Sequence, residues 1–229
     1  MKGIIVKDWE ALALNNRHST ALCKSFGISR GEHLLRQDEG KLIFSGDAGW
    51  HSKSVRSLIG QPGDTLFVKE TWRVGAAHRY EMDARIEFKA GGPNVTMRFP
   101  SRAEYDRFIS NREVGTGRWN SPLSMPEAAV RHYLQITGVR VCPLQDITDE
   151  ECAMLGIRPW TKDSKLFKYY IADDEGDWPS IPWQDCPRTP VDALRRLWDS
   201  HTADKQQLWR HNPWVQIIRF DGTERGVER

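Results

Sequence analysis

The sequence predicts an α+β fold, a curled sheet or small β-barrel with helices at its ends. Three observations predict it. Segments with period-2 alternation recur along the chain, with the clearest at 65–70 and 128–141. Mostly loops and single helices separate them, which favours α+β over a regular strand–helix repeat. Two helices carry strong start signals, Thr148-Asp149-Glu150-Glu151 and Thr189-Pro190-Val191-Asp192.

Taken in order, 2–6 reads as a short strand, Lys-Gly-Ile-Ile-Val. Residues 9–15 have helical spacing at Trp9, Leu12 and Ala13, with Asn15-Asn16 as the stop. Residues 17–62 are polar and poorly periodic; 42–44 reads as a strand and 54–59 as a helical turn. The turn Pro62-Gly63-Asp64 launches the strand 65–70. Residues 79–90 alternate as an edge strand, Gly91-Gly92-Pro93-Asn94 turns the chain, and 95–99 returns. Ser101 stands at N-cap position before a helix over 101–110, with Glu104 at capping-box spacing. The stretch 73–117 reads as a peripheral insertion.

In the second half, 128–141 reads as a long strand bulged at Gly138. A helix then runs to Leu155 and stops at Gly156. Residues 162–172 carry aromatics without a decisive period, and 173–187 is an acidic loop. The helix begun at Thr189-Pro190 places Leu194, Leu197 and Trp198 on one face. A last strand covers 214–220, and 222–229 reads as a charged, flexible tail.

Composition narrows the function classes. At 229 residues the chain is long enough to bury about 70% of its unfolded surface without staples. Four cysteines, widely spaced and without a CxxC pair, argue against structural zinc and against a disulfide framework, and for a reduced compartment. No apolar run reaches the ~20 residues of a membrane span, and 1–8 does not read as a signal peptide. The cytoplasm is the expected location. The net charge of +2 permits contact with nucleic acid without demanding it. There is no GxSxG elbow and no GxxxxGK[ST] loop. No HxxxH pair occurs among the seven histidines. The sequence therefore calls for neither metal nor cofactor.

What stands out is tryptophan, ten residues of it. Indoles are costly to bury unless the N–H finds a partner. Three turns set Trp beside polar groups: Lys69-Glu70-Thr71-Trp72, Arg118-Trp119-Asn120-Ser121-Pro122 and His211-Asn212-Pro213-Trp214. Stacking a base on an aromatic contributes about 1–3 kcal/mol, and neighbouring polar groups can read its edge. The same tryptophans can instead close the ends of the sheet. Arg131 follows Ser124-Met125-Pro126 and suits either a phosphate or an internal carboxylate. Arg17, Lys24, Arg30, Lys53 and Arg56 give the first quarter a basic bias that suits a phosphate backbone or a solvated surface.

The order of these motifs resembles proteins with an ASCH domain, of the PUA-like superfamily, of the phage and prophage "morphogenetic protein" type. The resemblance is carried by Pro62-Gly63-Asp64 with Val68-Lys69-Glu70-Thr71-Trp72, and by Trp119 with Ser124-Met125-Pro126 and Arg131. Val139-Arg140-Val141 leading into Leu144-Gln145-Asp146-Ile147-Thr148 continues it. Leu197-Trp198-Asp199-Ser200 and Asn212-Pro213-Trp214-Val215 complete it. It implies one domain over 1–221, a small barrel with flanking helices, interrupted by insertions at about 24–60, 73–117 and 158–188. It also implies recognition of RNA or a modified nucleotide. Some small ASCH proteins hydrolyse the acetyl amide of acetylated cytidine with a Lys, a Thr and a Glu. An ungapped reading puts His18, Ala21 and Leu155 at those positions here, so the pattern is not matched, though His18 can act as a base near neutral pH.

The leading expectation is a monomeric binding module for RNA, a single strand or a modified base. Its cleft would be lined by Lys69, Glu70, Trp72, Trp119, Ser121 and Trp214, with Arg17, His18 and Arg131 toward phosphate. Two others stand beside it. One is an amidohydrolase acting on acylated cytidine-type nucleosides, with His18 as its base. The other is a phage interaction protein whose Trp turns dock a partner.

Overall fold

The computed structural model describes residues 2–17, 19–26, 33–38, 41–45, 53–171 and 181–225. In chain order the elements are β1 (Lys2–Ile5), α1 (Asp8–Asn15), β2 (Ala21–Ser25), β3 (His33–Asp38), β4 (Lys41–Ser45), β5 (Lys53–Ser57) and β6 (Thr65–Lys69). There follow β7 (Trp72–His78), β8 (Asp83–Phe88), β9 (Val95–Arg98), α2 (Arg102–Ser110) and β10 (His132–Pro143). The last are α3 (Asp149–Met154), β11 (Ile157–Thr161), β12 (Phe167–Ile171), α4 (Pro190–His201) and β13 (Trp214–Arg225).

The architecture is α+β. The central sheet has five strands in the order β1-β6-β10-β13-β2. Only β1 and β6 run parallel; the other pairings are antiparallel. Two three-stranded sheets, β3-β4-β5 and β7-β8-β9, and a β11-β12 hairpin complete it. No closed barrel forms among the described residues, where β1 and β2 are the two edges of the central sheet.

Alternation sorts side chains to the two faces of that sheet. Ala21, Cys23, Val215 and Ile217 pack with α3 and α4 through Cys152, Leu194 and Trp198. Leu22, Ile218 and Phe220 pack on the other face with Leu66, Val68, Leu134 and α1 residues Ala11 and Leu14. Both faces are thus covered. All four cysteines are buried free thiols, and burial pushes Cys152 up to about 12 and Cys142 to about 11. No helix among the described residues is long and apolar enough to cross a membrane.

The three N-cap signals form, the full capping box only at Thr148. Thr148 Oγ1 accepts from Glu151 N at 3.2 Å while Glu151 accepts from Thr148 N at 3.1 Å. Thr189 Oγ1 accepts from Asp192 N, and Ser101 Oγ from Glu104 N. β10 is bulged between Ile136 and Gly138, as its glycine suggests.

Three expectations change. Residues 53–57 are a strand and not a helical turn, because β4 offers them an antiparallel ladder. The alternating stretch at 79–90 is the central strand β8 of its sheet, not an edge, since 72–78 also extends and pairs with it. β13 runs on through Arg225, past the expected end at 220, because β10 is long enough to pair with it.

Candidate functional site: a sealed ion pair and an open hollow

The chain passes from the central sheet to the β7-β8-β9 sheet through Lys69-Glu70-Thr71-Trp72. Leu66, Val68, Glu70 and Trp72 are all buried, whereas Thr65, Phe67 and Lys69 are only partly covered. Period-2 geometry therefore sends Lys69 and Glu70 to opposite faces. They cannot line one cleft side by side.

Glu70 is 1% exposed and Arg131 5%. They form a two-point ion pair, Nε to Oε1 at 2.9 Å and Nη2 to Oε2 at 2.6 Å. Arg131 Nη1 donates to the carbonyls of Gly91 and Pro93, and its guanidinium lies 3.9 Å from the Phe88 ring centre. His132 Nε2 is 2.8 Å from Asn15 Oδ1, and Asn15 Nδ2 donates to Ala90 O and Gly91 O. The cluster ties α1, β6, β10 and the 90–93 turn together. Its fork is fully engaged inside the protein, so the expectation that Glu70 and Arg131 face ligand is corrected: they hold the fold.

Trp72 is likewise sealed, at 0% exposure, among Val74, Ile86, Phe88 and Met125. Its indole N–H donates to Ser121 O at 3.2 Å, which removes the cost of burying it. A fully enclosed ring offers no face for stacking, so its expected role is also corrected. Trp214 packs edge-on to Phe44, with centroids 5.3 Å apart, in a separate cluster with Leu42 and Leu58. Arg17 is exposed in a left-handed turn, φ 55°, after α1. His18 lies outside the described residues. Ala21 and Leu155 are buried in the apolar core on the α3 and α4 side.

The other sequence-selected residues do come together. The segment 119–130 runs along 69–72 like a strap. Asn120 pairs with Trp72 through two backbone hydrogen bonds, Lys69 Nζ donates to Leu123 O at 3.3 Å, and Glu70 N donates to Met125 Sδ at 3.2 Å. Ser121 Oγ accepts from Leu123 N and so caps the turn at Pro122–Ser124. Upstream, Val114 bridges to Val74 and Gly115 N donates to Val74 O. The loop after α2 is therefore pinned to β7 at 114–115 and at 120. It arches between those points, with Gly115 and Gly117 at φ 68° and 81°.

Beside that arch lies a hollow of about 300 Å³. Its walls are Asn111, Arg112, Glu113, Arg118, Trp119, Asn120 and Ser121. Trp119 is half-buried, with the Arg73 guanidinium 4.4 Å from its ring centre. Arg73 is fixed in turn by Glu87, Nε to Oε2 at 2.8 Å, and that bond holds the Glu87 carboxyl below its ordinary value. Arg112 lies 4.0 Å from the Phe108 ring centre and donates to Phe108 O; burial pulls its guanidinium down. Glu113 accepts from Thr116 Oγ1 at 2.8 Å and Arg118 Nη1 at 3.0 Å, which hold its carboxyl low.

Sequence reasoning picked Trp119 and Ser121 here, named Arg118 and Asn120 as their polar neighbours in the same turn, and missed Asn111, Arg112 and Glu113. The signal was present: a stretch with two arginines, one asparagine and two glycines at 111–118 leads directly into Trp119. Chemically the hollow offers one indole, two guanidiniums, two carboxamides, a hydroxyl and one carboxylate. Such a set has the donors, acceptors and flat apolar surface to contact a planar polar molecule. Among the described residues no group of three or more His, Cys, Asp or Glu is placed to hold a metal. Comparison with family models, with curated proteins and with solved structures found nothing that matches this chain.

Proposed function

We propose that this chain is a binding module for a nucleotide or an unpaired base of RNA or single-stranded DNA. The observation that carries the reading is the half-buried Trp119 indole in a polar hollow, backed by a guanidinium and flanked by carboxamides. Its volume lies at the lower end of the ~300–1,000 Å³ range of small-ligand sites, a size suited to one base or nucleoside. Asn120 and Asn111 supply donors and acceptors for a base edge. Partly exposed Lys69, beside Leu123 of the same strap, is a further cation for a longer strand. The resemblance to ASCH proteins points the same way; it rests on motif order alone.

The test is a titration of short RNA and single-stranded DNA at low salt, with the wild type and Trp119→Ala. Binding that weakens with salt and drops about tenfold or more in the variant supports the reading. No binding at low salt, or equal binding by the variant, removes it.

A further inference from the structure

We infer that the hollow grips its ligand by phosphate through Arg112 and Arg118, so that the occupant is a phosphorylated nucleoside rather than a free base or nucleoside. The inference rests on the proposed function and deepens it. The arginines around Trp119 and along its strap fall into two kinds. Arg131 and Arg73 direct their forks at Glu70 and Glu87. Arg112 and Arg118 instead engage the protein through one nitrogen each, Nη1 to Phe108 O and Nη1 to Glu113 Oε1. A guanidinium carries five N–H donors in a planar fork that matches two oxygens of a phosphate. Two such groups with unused donors border the same hollow as the indole.

The neighbouring charges define how an anion enters. Glu113 is the only carboxylate in the wall, and it holds Arg118. A phosphate that binds Arg118 competes with that carboxylate. Glu113 thus acts as an internal substitute for the anion, and its removal favours the ligand. Arg112 is held in place by Phe108 and sits 5.6 Å from the buried Trp72 ring centre, so its position does not depend on ligand. Phosphate at the guanidiniums and base on the indole is the arrangement of a mononucleotide or of one residue in a strand.

The test follows the Trp119 indole N–H resonance, assigned with Trp119→Phe, in the full-length chain at low salt. The probes are adenosine, adenosine monophosphate and the dinucleoside monophosphate ApA. Both phosphorylated probes are expected to bind about tenfold or more tightly than adenosine. Their order relative to each other separates a terminal phosphate from a strand phosphodiester. Arg118→Ala, at a side chain 76% exposed and so harmless to folding, should weaken adenosine monophosphate several-fold, with Arg112 still in place, and leave adenosine unchanged. Glu113→Gln should tighten adenosine monophosphate several-fold and leave adenosine unchanged. Equal affinity for adenosine and its monophosphate, or no effect of either variant, overturns the inference while leaving base stacking intact. No movement of the Trp119 signal with any probe overturns both.

Discussion

The Glu70–Arg131 pair and the Trp119 hollow are built from the same residue types and lie along the same strap, yet they differ in every physical respect. At one end of 119–131 the guanidinium is 5% exposed and all its groups find protein partners. At the other end Arg118 is 76% exposed and holds one carboxylate. Burial is what separates them. A charge removed from water must be matched inside the protein, and once matched it is unavailable to a ligand. A charge left at the rim of a hollow keeps its water and can exchange it for phosphate.

The contrast breaks most visibly at the closed end. Arg131→Ala leaves the Glu70 carboxylate buried without its partner and should cost about 3–5 kcal/mol in urea unfolding. The double variant Glu70→Leu with Arg131→Met should cost less than Arg131→Ala alone, because no orphan charge remains. If Arg131→Ala costs under about 1 kcal/mol, the cluster is not sealed in the way described.

Gly92 tests the same end more gently. Its φ is +78°, and a Cβ there would meet Arg131 Nη1 at 2.9 Å and Asn15 Cγ at 3.1 Å. Gly92→Ala should destabilise by about 1–3 kcal/mol and leave ligand affinity at Trp119 unchanged.

The open end should respond in the opposite sense. Trp119→Ala loses a half-exposed contact with Arg73, about 1 kcal/mol or less of stability, while ligand affinity should fall about tenfold or more. A loss of several kcal/mol would show Trp119 to be core after all.

The smallest effect is in pH. Glu87 orients Arg73 beneath Trp119, and its carboxyl sits below the ordinary 4.5 because Arg73 hydrogen-bonds it. A lowered acid adds stability that is fully present above its unfolded value and disappears as pH falls through its folded value. The unfolding midpoint of wild type should therefore exceed that of Glu87→Gln at neutral pH, and the gap should close below about pH 4. A gap that widens in acid contradicts the pairing.

Much of the fold was legible because local signals agreed with tertiary need. Thr148-Asp149-Glu150-Glu151 and Thr189-Pro190 specify helix starts whatever surrounds them. Residues 53–57 were not legible, since a five-residue strand depends on a partner that the local sequence does not name. The site was half legible. Alternation through Leu66, Val68, Glu70 and Trp72 already sends Glu70 and Trp72 inward and Lys69 outward. A reading that put all three in one cleft set the residue types above the period. What pairs Glu70 with Arg131, sixty-one residues away, is long-range packing, and no spacing encodes it. Trp119 and Trp214 read alike beside proline turns, yet Trp214 packs on the Phe44 ring and Trp119 on the Arg73 guanidinium.

One strap carries a closed end and an open end. The most direct measurement follows the Trp119 Nε1–H and Arg131 Nε–H resonances together while a short single-stranded RNA is added at low salt. The Trp119 signal is expected to move in a saturable way while the Arg131 signal stays fixed. Movement of Arg131 with Trp119 unmoved would contradict it.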